Sequence, residues 1–254
     1  MAGNPPELQI PKPEESVIRW LLESDPSIRW QVMNDLIGAP ADEVAAERAK
    51  VATEGWGAQL LAFQTPDGMW GGAAWNHGWD STMHVLTLLR ELGLDPVSDQ
   101  ARQAVGRVRD HVRWPGWDWD GNWQGMDFVG NPFFAGEVEP CINGQVAASA
   151  AYFRQETQSA RIFDRLLAEQ LPDGGWNCEA PNHSTRSSFN TTICVLEALL
   201  EVELAGERSA ALTAARLRGQ EYLLERRLFH RRSTGEVIER DRAGESEWTR
   251  FTFP

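Results

Sequence analysis

LPDGGWN, Leu171 to Asn177, is the third appearance of one short pattern. The first is TPDGMWG, Thr65 to Gly71, and between them stands WDWDGNW, Trp117 to Trp123. A repeat is read before anything else, because each copy is one supersecondary unit that buries its apolar face only by stacking on its neighbours. The aspartates are Asp67, Asp120 and Asp173, the tryptophans are Trp70, Trp123 and Trp176, and both series step by 53 residues. The first and third copies agree well beyond the motif: LLAFQTPDGMWGG pairs with RLLAEQLPDGGWN at an offset of 106. Carried on without a gap, that offset sets Asn76-His77 on Asn182-His183, Ser81 on Ser187, His84 on Asn190 and Glu91 on Glu197.

Around the motif the patterns are helical. EESVIRWLLES puts Val17, Ile18, Leu21 and Leu22 on one face. Pro26 stands where a helix starts and its missing N–H costs nothing. ADEVAAERAKVATEGW is expected to stop at Gly55, and DSTMHVLTLLRELG to run from an Asp80 or Ser81 cap to Gly93. No segment reads as a firm strand, although GEVIERD from Gly235 suits a short hairpin arm. In each repeat the aspartate caps the turn through its own side chain, the glycine takes a positive φ, and the tryptophan folds over the adjoining helix pair. The second helix of each pair (TMHVLTLL, INGQVAASAAYF, TTICVLEALL) is the less charged and is expected to face inward. The fold expected is all-α: a complete or partial α/α toroid of repeated helix pairs with Asp-Gly-x-Trp turns, one domain over residues 14–254 behind a Pro-rich leader at 1–13.

Bulk properties narrow the partners. A net charge of −13 argues against nucleic acid, which needs clustered cations. No apolar run is long enough to span a bilayer, and the N-terminus lacks the basic-then-apolar order of a signal peptide. Three cysteines, Cys141, Cys178 and Cys194, suit reduced thiols better than a disulfide frame, and the expected location is the cytoplasm.

The Gln-x-x-Asp-Gly-x-Trp pattern of QTPDGMWGG and QLPDGGWN resembles the QW-type repeats of squalene and other class II terpene cyclases, a toroid shared with protein prenyltransferase β subunits. The resemblance covers roughly residues 55–230. It implies a central aromatic cavity, with Trp79, His84, Phe133, Phe134, Arg186, Phe189 and Asn190 as substrate contacts. Arg186, before an inner helix, could meet an anionic group. A cyclase would protonate its substrate with a carboxylic acid, here Asp80 or Glu139, since the chain has no DxDD; Asp118 and Asp120 belong to the middle repeat. The plainer reading of Asp80 is a helix N-cap. A prenyltransferase would bind zinc through Asp-x-Cys and a histidine. Glu139 and Cys141 hold the first two places and Asn190 stands at the third, so zinc is expected to bind weakly unless His84 or His183 completes the set. The plainer reading there is a buried Cys141 beside a capping Glu139. Cys194 reads as core, while Cys178 has no clear role.

The function expected first is a terpene cyclase-like enzyme acting on an isoprenoid or other apolar small molecule. The alternatives are a zinc-dependent prenyltransferase-like enzyme, a non-catalytic carrier of an apolar ligand, and an (α/α) carbohydrate-active enzyme. With room for only one helical domain and no final helix pair to close a ring, the expectation is an open ring, a ring closed by a second copy or another partner, or a fragment.

Overall fold

In the computed structural model the described residues are 14–115, 128–179, 184–206 and 209–237. Among them every regular element is helical: α1 (Glu15–Leu22), α2 (Pro26–Asp35), α3 (Ala41–Ala49), α4 (Gly55–Ala62), α5 (Thr82–Glu91), α6 (Asp99–His111), α7 (Pro140–Tyr152), α8 (Glu156–Ala168), α9 (Phe189–Leu204) and α10 (Ala210–Leu224), with 3₁₀ turns at Lys50–Ala52 and Phe133–Ala135. The middle motif, with Asp118, Asp120 and Trp123, lies outside the described residues, as does His183.

Local chemistry sets most helix ends. Asp25 accepts from Ser27 N–H at 2.9 Å and begins α2, with Pro26 in the first turn. Its other oxygen accepts from Trp56 N–H at 2.8 Å, so one carboxylate serves the starts of both α2 and α4. This explains Gly55, which opens α4 instead of closing α3. Its φ is +62, and a Cβ there would collide with the Asp25 carboxylate. At the end of α5, Gly93 has φ +81 and donates to Arg90 O, while Leu94 N–H donates to Leu89 O: a Schellman closure. Trp30 and Arg48 donate to Leu92 O and Gly93 O at the same corner, and the Tyr152 hydroxyl to Leu94 O, tying α2 and α3 to α5 and α7. Of the expected hairpin arm, residues 238–241 lie outside the described residues, and the described part makes a single bridge, Val237 with His230.

The two described repeat turns are built alike. The Trp70 and Trp176 rings are 2% and 0% exposed. Each indole N–H donates to a carbonyl of its own preceding helix, Leu60 O at 2.7 Å and Leu166 O at 2.6 Å. Gln64 and Gln170 each clamp the turn to the outer helix of the next pair: Gln64 Nε2 donates to Gly68 O and Ala104 O, and Gln170 Nε2 to Gly174 O and Ala215 O. These tryptophans are braces.

The ungapped offset does not persist past the tryptophan. Trp70 N–H finds Thr82 Oγ1 12 residues on, whereas Trp176 N–H finds Thr192 Oγ1 16 residues on. Between the tryptophan and the equivalent threonine the third copy has four extra residues, about one helical turn, and most of them form an added first turn of α9. Position 84 therefore corresponds to Cys194 and not to Asn190. A shift of one turn leaves the apolar face facing the same way, which is why the sequence pairing looks continuous.

Of the ten buried residues of α7, most are small: Gly144, Ala147, Ala148, Ser149, Ala150, Ala151. Small residues let α7 sit between α9, α5 and α8, with α10 against α8 and α9. At Gly144 a Cβ would come 2.5 Å from Cys194 O, so glycine sets the closest approach of α7 to α9. The inner helices α5, α7 and α9 thus lie side by side, and α8 and α10 back them.

Candidate metal centre

The segment ahead of α7 is shaped by one asparagine. Buried Asn143 accepts from Glu137 N–H through Oδ1 and donates to Glu137 O through Nδ2, both at 2.8 Å. Gly136, at φ +76, leaves room for that amide. Glu137 is 3% exposed, and its carboxylate accepts from Glu139 N–H at 2.6 Å. Burial pushes the Glu137 carboxyl up to about 8, with the neighbouring Glu139 charge adding to the effect. Glu139 occupies the N-cap position of α7, yet its side chain makes no cap hydrogen bond. Its Oε2 instead lies 3.6 Å from Cys141 Sγ, in the first turn of α7.

The third group comes from the repeat turn. Cys178 follows the Trp176 brace by two residues, where the first copy has Gly72. Asn177 pins this loop by donating to Arg186 O at 2.6 Å and Ser184 Oγ at 3.0 Å. Cys178 Sγ then lies 2.9 Å from Cys141 Sγ and 3.5 Å from Thr191 Oγ1 of α9. One ligand atom each from Glu139, Cys141 and Cys178 falls within 4.8 Å of the others, all three residues half-buried. The hydrogen bond to Cys178 and burial push the Cys141 thiol well above its usual range.

This donor set fits a zinc ion. With Zn–S ~2.3 Å and Zn–O ~2.0 Å, tetrahedral coordination needs S···O of about 3.5 Å and S···S of about 3.7 Å. The Glu139–Cys141 separation already matches, and the two sulfurs need to open by less than ~1 Å. Cys178, to which the sequence assigned no role, is the third donor of this group. A close reading of its offset from Trp176 was the one available clue.

The remaining predicted residues fall elsewhere. His84 is outside the three-donor group; its Nδ1 is 2.8 Å from Ser81 Oγ and its ring is 5.0 Å from that of Trp79. Burial lowers its pKa, against the pull of Asp80. Asp80 is exposed and accepts from Asn76 Nδ2 at 2.9 Å, so it lacks the apolar surroundings a proton-donating carboxyl requires. Trp79 is 78% exposed. Phe133 and Phe134 are fully buried, Phe133 stacked on Trp114, and present no surface to a ligand. Asn190 and Arg186 are exposed, and Phe189 packs on Tyr222 at 5.5 Å.

The sequence also missed a polar chain linking the inner helices. Thr87 on α5 donates to Gln145 on α7, and Gln145 donates to Glu197 on α9. Arg90 on α5 reaches both Glu197 and Glu201, and its side chain is only 9% exposed. Burial raises Glu91 and Glu201 despite Arg90. Along this contact the three helices share charged and amide groups. Comparison of the chain with protein-family models, with curated proteins and with solved structures finds no match.

Proposed function

We propose that the chain is a zinc-dependent enzyme of the prenyltransferase-like kind, its metal held by Glu139, Cys141 and Cys178 on a ring or part-ring of helix pairs. The observation that carries this reading is the convergence of those three donors at the start of an inner helix. Three protein ligands leave an open position, the mark of a catalytic zinc site and not of a closed structural one. When bound, zinc supplies Lewis acidity at that position. The chain's own residues prepare the site. Glu137 holds the Glu139 backbone, so the Glu139 carboxylate turns toward the sulfurs instead of capping its helix. Thr191 stands beside Cys178 and orients its sulfur. The proton that metal-free Cys141 retains must leave when a cation binds, so affinity should rise with pH.

The substrate class proposed is an isoprenoid or similar molecule carrying a polar group, because the inner helices offer Thr87, Gln145 and Glu197. The cyclase reading has less support, since Asp80 is exposed. The test is metal content after purification without chelator, together with zinc titration of the wild type and of Cys178→Ser and Cys194→Ser. Stoichiometric zinc in the wild type and in Cys194→Ser, with a loss of 10-fold or more in affinity for Cys178→Ser, is the expected result. Equal affinity in all three proteins, or no zinc at all, would remove the proposal.

A further inference from the structure

The geometry points to a second property of the same two sulfurs: we propose that Cys141 and Cys178 form a reversible disulfide when no metal lies between them, making the pair an oxidation site that excludes Cys194. This goes beyond the zinc reading and does not depend on it.

A 2.9 Å separation is inside the van der Waals contact of two sulfurs and less than ~1 Å longer than a disulfide bond. The residues stand on different supports. Cys141 is fixed in the first turn of α7, while Cys178 sits on the turn after the Trp176 brace, so closure needs movement of one loop. Both are half-buried, within reach of a small oxidant. Cys194 lies inside α9 with its thiol held by Gln145, outside the group in which Cys141 and Cys178 converge, so neither of those sulfurs is set to bridge to it.

The oxidant class is a low-molecular-weight disulfide such as oxidised glutathione. The Cys178 sulfur, as thiolate, attacks one sulfur of that disulfide, forming a mixed disulfide and expelling one glutathione thiolate. Cys141 then gives its proton to solvent and attacks the Cys178 sulfur, expelling the second glutathione thiolate. Both leaving thiolates take up a proton. The two protein thiols are oxidised to one disulfide and the glutathione disulfide is reduced to two thiols, so electrons and protons balance.

A site that alternates between a dithiol and a disulfide binds metal only in the reduced state, because the ligands are thiolates. Oxidation would therefore switch off zinc uptake. The closed loop joins positions 37 residues apart, enough to restrict the unfolded chain, so the oxidised protein should melt higher by on the order of 10 °C.

The test uses the full chain, stripped of metal by a chelator and equilibrated in glutathione redox buffers. Thiols are counted under denaturing conditions, and the bridge is located by mass spectrometry of non-reduced peptides. The expected result is a fall from three free thiols to one, with Cys141 bridged to Cys178 and Cys194 free. Cys194→Ser should form the same bridge, and Cys178→Ser should form none. Three free thiols in oxidised buffer, a bridge through Cys194, or a stable glutathione adduct in place of the bridge would each overturn the proposal. If the zinc reading fails, the bridge is still expected; if the bridge fails while zinc binds, only this inference falls.

Discussion

Replacing Trp176 with alanine tests the brace on which the repeat reading stands. The ring is fully buried, and its position against α10 is tight: a Cβ at Gly219 would lie 2.9 Å from Trp176 Cζ3. Truncating a buried tryptophan costs ~3–5 kcal/mol. The substitution also leaves Leu166 O without the 2.6 Å bond from the indole N–H, and an orphaned buried acceptor costs ~1–3 kcal/mol. The total, on the order of 4–8 kcal/mol, is a large part of the ~5–15 kcal/mol stability of an ordinary domain. At ~2–4 °C per kcal/mol, the melting temperature should fall by ~10–30 °C or the chain should fail to fold. Trp176→Phe keeps most of the ring and loses the N–H bond, so it should lie between. Trp20→Ala, at a position 68% exposed, is the matched control and should change little. The assay is far-UV circular dichroism on heating and in urea. The reasoning fails if Trp176→Ala melts within a degree or two of Trp20→Ala.

Other perturbations test other contacts. Gln170→Ala removes the two hydrogen bonds donated by its Nε2, which join the turn to α10, and the one its Oε1 accepts from Arg218, and a loss of ~1–3 kcal/mol in urea titration is expected, matched by Gln64→Ala. Gly174→Ala should cost at least ~1 kcal/mol, because φ is +99 and the added Cβ would lie 2.7 Å from Arg218 O; Gly206→Ala, with open space around it, is the comparison for positive φ alone. Glu137 titrates near 8 in the folded chain, against 4.5 for an ordinary glutamate, so charging it penalises the fold. Stability of the metal-free protein should therefore rise as pH falls from about 8 toward 4.5, by up to ~1 kcal/mol per unit, and level off below. Glu137→Gln should abolish this slope in pH-dependent melting, and an unchanged slope would show that Glu137 is not its source.

Sequence by itself determined the helices, the turns between them and the brace. Gly and Trp at a fixed spacing encode local geometry: a positive φ and a large ring folded back on its own helix. Asp67 caps its turn as expected by accepting from Met69 N–H, whereas the Asp173 carboxylate accepts from Ser187 N–H and Oγ, a contact beyond its own turn. Pro26 and Gly93 marked helix ends for the same local reason. The membrane question was settled just as locally, since among the described residues no helix is long and apolar enough to cross a bilayer. Two of the three converging donors were legible too, because Glu139 and Cys141 are neighbours on one helix start. Tertiary structure alone decided the rest. The four extra residues between Trp176 and Thr192 move Asn190 away from the place of His84 while leaving the apolar stripe in phase, and periodicity cannot see a shift of one full turn. Cys178 meets Cys141 only because the brace holds its loop against α7, a contact between positions 37 residues apart. Arg90, Gln145 and Glu197 lie on three separate helices and meet only through the packing of α5, α7 and α9. Spacing along the chain specifies what touches within a repeat, and the packing of one repeat on the next specifies which side chains meet at a site.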